Sequence, residues 1–394
     1  MTALTREQRW RGVIAVLFTV TSAGVLYGLI NPLVALRLEH MGIGTTWNGV
    51  NAAMPAVAAI LVAPLLPALN DRLGLPLVIA LGAVLIVIPI PLFDFFPGVW
   101  VWAALRFVIG VGMMLQWVAA EIWINAAVED SHRGRVVGAS VALFSIGMAC
   151  GPLVIGFMGT AGAWPFLICA GIIVLGTLPL AFALDAAPST RREGRGSLVT
   201  AVRRAPTPMM AGLVEGFLFT AIFILLPLYA IRSGIGESFA VGMLGAVAIG
   251  EIAVAIPIGW LADRMDRRLL MIYSGLAVFA LCLLLPLLLG SAALLAVMLF
   301  AWGAASIGLY TMALIRLGET FRPAELGPAT AALILIIQIG SIAGPIAGGL
   351  GMDAWDPHGL VVVLAIASGL FCAFAIWRYR RFGPDGERRS SDAG

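Results

Sequence analysis

Apolar residues fill this chain in twelve runs, each long enough to cross the hydrocarbon core of a bilayer, which takes about 20 helical residues. They lie at 12–36, 48–69, 76–93, 99–125, 136–158 and 164–184, and again at 209–231, 239–262, 269–289, 291–316, 328–350 and 359–378. Polar and charged residues collect between the runs, so the pattern predicts an all-α integral membrane protein of twelve transmembrane helices. The longest polar interruption, 185–208, carries Pro188, Pro206, Pro208 and five arginines and reads as a cytoplasmic linker. It divides an N-terminal six-helix bundle, 1–184, from a C-terminal one, 209–382, and a polar cytoplasmic tail follows at 383–394.

Composition excludes a water-soluble fold: of 394 residues 61% are hydrophobic and 11% charged, and the mean hydropathy is +1.02. The solvent of this chain is a lipid bilayer. All 24 basic residues are arginine. With both termini cytoplasmic, nearly all of them fall on the inner side, and the outer connections hold only Arg37 and Arg232. This is the positive-inside bias. The net charge of +3 thus follows from topology and points to no nucleic-acid partner. The first run is too long for a signal-peptide core and is read as a retained helix. Cys150, Cys169, Cys282 and Cys372 lie in apolar spans without Cys-x-x-Cys spacing, and His40, His132 and His358 are far apart. No metal or other cofactor is expected.

The two halves repeat one another. Gly147-Met-Ala-Cys-Gly151-Pro152 in the fifth span returns as Gly340-Ser-Ile-Ala-Gly344-Pro345 in the eleventh. Asn70-Asp71-Arg72-Leu73-Gly74, after the second span, returns in fuller form after the eighth as Gly259-Trp-Leu-Ala-Asp263-Arg264-Met-Asp266-Arg267-Arg268. Parallel repeats around an axis along the membrane normal are an architecture of secondary transporters, which hold cargo near the midplane. Glycines four apart let a neighbouring backbone approach, and proline bends the helix it interrupts. Ordinary tight packing would use the same residues. An aspartate followed by arginines at a helix end can tie neighbouring helix termini together, or serve only as a solvated topogenic cluster.

Four charges stand out away from the ends of the apolar runs: Arg106, Glu121, Glu215 and Glu251. Each ionised group at mid-bilayer costs about 2.5–3.5 kcal/mol on insertion scales, so such residues commonly face the bundle interior and serve transport. At the offset that superimposes the glycine motifs, their counterparts are Leu299, Leu314, Ser22 and Ala58. The packing motifs were duplicated and the charges were not, which assigns the charges to a ligand or a proton. In the fourth span Arg106, Gly110, Met113, Trp117, Glu121 and Asn125 share one helix face. Arg106 and Glu121 are about 22 Å apart along it, too far to pair. Glu121 also has structural alternatives, solvation or an ion pair with Arg133 or Arg135. Glu251 is the most deeply placed carboxylate, about 17 Å from each end of its helix; an inward hydrogen bond that locks helices is the alternative reading. Glu215 faces either the bundle interior or the interface. Tyr27, Asn31, Gln116, Trp117, Phe219, Phe223, Tyr310 and Gln338 are the candidate cargo contacts; together they predict a small amphipathic, ring-bearing molecule, although each alone could be packing.

These motifs resemble the major facilitator superfamily of transporters. Gly259 to Arg268 matches the family's loop motif, while Pro67 to Pro76 matches it in part. Arg106-Phe-Val-Ile-Gly110-Val-Gly112 is similar to its fourth-helix motif, and Gly147 to Pro152 to its antiporter-type fifth-helix motif. Within the superfamily the chain looks most like the bacterial YcaD-like branch, through Trp117-Val-Ala-Ala-Glu121, Arg133-Gly134-Arg135, Pro227-Leu-Tyr229 and Ile256-Pro257-Ile258-Gly259; Ala255 departs from it where relatives often place glutamine.

The resemblance implies two six-helix bundles related by a pseudo-two-fold axis, in a monomer of a bacterial inner membrane. It implies alternating access, and its fourth-helix motif makes Arg106 a proton-coupling residue; Glu121, Glu215 and Glu251 are the further candidates for proton coupling by their places in the apolar runs. Asp71, Arg72, Gly147, Gly151, Pro152, Gly259, Asp263, Arg264, Arg267, Arg268, Gly344 and Pro345 become conformational motifs. The expected function is proton-coupled movement of a small organic molecule, efflux by exchange favoured. The alternatives are proton-symport import of a metabolite or vitamin, and a non-transporting membrane receptor or assembly protein. No nucleotide cradle and no nucleophile–base cluster is apparent, so an enzyme is not expected.

Overall fold

The computed structural model describes residues 5–128, 130–188 and 198–382; residues 189–197 of the predicted linker and the whole predicted tail lie outside them. Among the described residues, twelve helices are long and apolar enough to span a bilayer. In the first half they are α1 (Arg6–His40), α2 (Thr45–Leu73), α3 (Leu75–Phe95), α4 (Val99–Ala127), α5 (Asp130–Met158) and α6 (Trp164–Phe182). The second half has α7 (Pro206–Arg232), α8 (Glu237–Ala262), α9 (Arg267–Leu288), α10 (Ala292–Thr320), α11 (Pro323–Ala354) and α12 (Gly359–Phe382). Every predicted run coincides with one of these helices to within a few residues at each end, and no strand occurs among the described residues.

Irregular stretches occur where proline removes a backbone donor. A 3-10 turn at Ala63–Leu65 interrupts α2 beside Pro64 and Pro67, α3 divides at Pro89, and α6 tightens into a 3-10 turn at Leu178–Phe182 around Pro179. A few helix starts are capped by local side chains. Thr5 and Gln8 form a reciprocal capping box at α1, and the Asp266 carboxylate accepts the Arg268 N–H, 2.8 Å away, at α9.

The chain forms two compact units. One holds Met1–Ile43 and Val50–Arg192; the other holds Glu193–Gly394 together with Gly44–Gly49, the first turn of α2 and the residue before it. Within the first unit α1 lies hard against α5. A Cβ on Gly24 or Gly28 would collide with the carbonyl oxygens of Phe144 or Met148, and one on Gly147 or Gly151 with the backbone at Thr21 or Gly28. Within the second unit α7 meets α11 in the same way, Gly340 against the Leu213 carbonyl and Gly344 against that of Phe217. The duplicated Gly-x-x-x-Gly pairs therefore sit at equivalent helix crossings, where small residues allow backbones to touch. Gly250 and Gly303 bring α8 and α10 equally close.

Candidate functional site

In the first unit the buried charged candidate is Arg106 on α4. It is 2% exposed, and its Nη2 donates to Oδ1 of Asn31 on α1. Asn31 is itself buried and turns its amide back onto the Tyr27 carbonyl at 2.9 Å. Tyr27 lies within electrostatic reach of the guanidinium. Arg106 Nη1 is buried without a hydrogen-bond partner, and no carboxylate pairs with this arginine among the described residues. Close packing places it there: one turn along α4, a Cβ on Gly110 would strike the Pro55 backbone of α2, and one on Gly112 the Gly82 carbonyl of α3.

An aromatic series continues from Tyr27. Its ring centroid is 6.3 Å from that of Phe144 on α5, which meets Trp117 of α4 edge-on at 5.0 Å. Trp117 is 40% exposed, so the series runs from a sealed guanidinium to an accessible indole. Phe144 is the member that sequence reasoning did not single out. Its signal was present: it stands three residues before Gly147, on the glycine face of α5. Gln116 is buried elsewhere, its amide 3.4 Å from the Thr177 hydroxyl and its side chain against Gly82. Glu121 is exposed, and the Asn125 amide donates to its backbone carbonyl at 3.0 Å. The Arg133 side chain, one of its predicted partners, lies outside the described residues.

The second unit holds the two remaining carboxylates. Glu251 on α8 is buried, Glu215 on α7 half-buried, and the two are close enough to repel one another. Neither makes an ion pair or a side-chain hydrogen bond among the described residues. Each follows or precedes a tightly packed glycine, Gly250 against the Phe300 carbonyl and Gly216 against that of Ile337, so helix crossings hold both acids inside the bundle. Phe219, one turn after Glu215, lies 4.6 Å from Phe223 between ring centroids. Phe223 is fully buried, whereas Phe219, Tyr310 on α10 and Gln338 on α11 are half-buried.

The loop motif at the end of α8 makes a network within this unit. Arg267 reaches the Asp263 carboxylate at 3.6 Å, donates from Nε to the Ala262 carbonyl at 3.0 Å, and pairs with Glu319 at the end of α10. Glu319 also receives Arg316 at 2.7 Å, and Arg264 lies over the Trp260 ring at 3.7 Å. In the partial first copy Asp71 and Arg72 are both exposed.

The Major Facilitator Superfamily model matches residues 16–315 and 241–393. Similar curated proteins include an uncharacterized MFS-type transporter, YfkF of Bacillus subtilis (strain 168). It is 26% identical over 376 residues, covering 93% of this chain and 95% of that one. Another from Enterobacter sp. (strain 638) is 27% identical over 353 residues, 87% of this chain and 89% of its own. YcaD of Escherichia fergusonii, likewise uncharacterized, is 27% identical over 281 residues, 70% of this chain and 71% of its own. Among solved structures, the nucleoside transporter NupG superimposes with a TM-score of 0.78 at 13% identity, over 94% of this chain and 100% of that one, a likeness of fold. Twelve spans, the loop network and the family match agree: the chain belongs to the major facilitator superfamily.

Proposed function

We propose that this protein is a proton-coupled secondary transporter of a small amphipathic, ring-bearing organic molecule, working by alternating access in a bacterial inner membrane with both termini cytoplasmic. Family membership supports a transporter in a membrane. The observation that carries the proton is the Glu215 and Glu251 pair, two neighbouring carboxylates within a membrane bundle with no cation beside them among the described residues. Like charges held together away from water are relieved by taking up a proton, and a carboxyl that gains and loses one can bias a two-state bundle. In this reading Glu251 is the principal carrier, Glu215 tunes it, and the ring-bearing cargo meets the Tyr27 to Trp117 series. The Gly-Pro motif of α5, Gly147 to Pro152, favours efflux by exchange.

The test is flux in reconstituted vesicles. Glu251→Gln keeps shape and removes the titrating proton; it is expected to abolish pH-gradient-driven flux while leaving protein abundance near that of wild type. Undiminished gradient-driven flux in the Gln variant removes Glu251 from the mechanism.

A further inference from the structure

Arg106 poses a problem of charge that the described residues of its own unit do not solve. A guanidinium stays protonated at physiological pH and offers five N–H donors in a planar fork. Here it is 2% exposed, one nitrogen is spent on a neutral amide oxygen, and Nη1 meets no acceptor among the described residues. A buried cation without a counter-charge is strongly destabilising, and its companions only partly compensate. Asn31 and Tyr27 supply dipoles and no negative charge. The free face of such a fork is complementary to a carboxylate or phosphate, which it binds in bidentate fashion.

The second observation is what stands next to it. Tyr27, within electrostatic reach of the guanidinium, begins a series of linked rings with Phe144 and Trp117, at 6.3 and 5.0 Å between successive centroids. An apolar ring-binding strip ending at an unneutralised guanidinium matches a molecule with an aromatic body and an anionic end. We propose that Arg106, with Asn31 and Tyr27, is the binding site for the anionic group of the cargo, which is an aromatic carboxylate or phosphate ester whose ring lies along Tyr27, Phe144 and Trp117. This rests on the transporter reading above and gives its cargo a charge.

The experiment is a thermal-unfolding titration of the purified full chain at pH 7 with benzoate, phenyl phosphate, benzamide and benzylamine. The account predicts that the two anions raise the melting temperature, because a ligand of the folded state stabilises it. Benzamide and benzylamine are expected to act at least tenfold more weakly. Arg106→Lys keeps the charge but loses the fork, and should weaken benzoate at least tenfold. Asn31→Asp places a carboxylate where Arg106 already has a partner. It should raise the melting temperature of the ligand-free protein and cancel the benzoate response, and it keeps the test decisive if arginine variants do not fold. Equal effects of the four probes, or a benzoate response retained in Asn31→Asp, overturn the assignment. Anion preference without pH-driven flux would refute the proton coupling and leave this site standing. Flux that prefers benzylamine would refute the site and leave the transporter standing.

Discussion

Carboxylates at two depths in this protein answer to different partners. Asp185, just beyond the end of α6, receives Arg11 Nη2 at 2.5 Å and Gln8 Nε2 at 3.3 Å. Desolvation raises this carboxyl, but the hydrogen bonds from Arg11 and Gln8 outweigh it and hold the group below the usual carboxylate range. A folded-state value below the unfolded one stabilises at pH above the unfolded value, about 4, and that contribution is lost as pH falls through the folded value. Asp185→Asn should therefore melt slightly below wild type at pH 7, and the gap should close on acidification below about pH 4. A gap that persists undiminished in acid contradicts the assignment. Glu215 and Glu251, by contrast, have no such donors among the described residues, which is why they are given to the proton rather than to the scaffold.

Helices pack in this fold through their glycines, and their ends are held by side chains distant in sequence. Gly151→Val or Gly344→Val drives a branched side chain into a neighbouring backbone. Each should cost about 3 kcal/mol or more, by the upper end of overpacking losses, and should sharply reduce the yield of folded protein. Gly171→Ala, where a Cβ meets nothing within 4 Å, should leave the yield unchanged; parity of the three variants would sink the packing argument. The start of α2 shows the other device. Both backbone N–H groups of Thr45 and Thr46 donate to the Asp353 carboxylate, at 3.1 and 3.0 Å, and both hydroxyls donate to it at 2.5 Å. Asp353, in the last turn of α11, thus serves as the cap that Gly44 cannot supply. Asp353→Ala should cost about 1–2 kcal/mol, typical of a lost cap, and should speed hydrogen exchange at Thr45 and Thr46. Unchanged exchange there would show that the cap contributes nothing.

At the scale of the whole molecule, the span pattern was legible in the sequence because lipid imposes length and polarity on every helix, and the observed α1 to α12 follow the predicted runs. The glycine repeats were legible too, since close backbone approach requires the same small residues at both crossings. Pairings between distant residues were not. Nothing in spacing joins Asp353 to Thr45 or Arg267 to Glu319, because a side chain can reach any helix that tertiary packing brings beside it. Phe144 was overlooked because a phenylalanine in an apolar span has the look of a lipid-facing or core residue until Tyr27 and Trp117 flank it. Arg106 was read from its neighbours in sequence; that it lies sealed beside Asn31 with Nη1 unpartnered emerged only in three dimensions.

The central claim is that cargo movement is coupled to proton movement. It is tested most directly in vesicles loaded with a pH-sensitive dye and containing the purified protein, with no imposed pH gradient, to which phenyl phosphate, an anion too charged to cross the bilayer unaided, is added. The account predicts a change of internal pH that requires the protein, vanishes in Glu251→Gln and reverses sign when the phenyl phosphate gradient is reversed. Phenyl phosphate movement through the wild-type protein with no protein-dependent change of internal pH would contradict it.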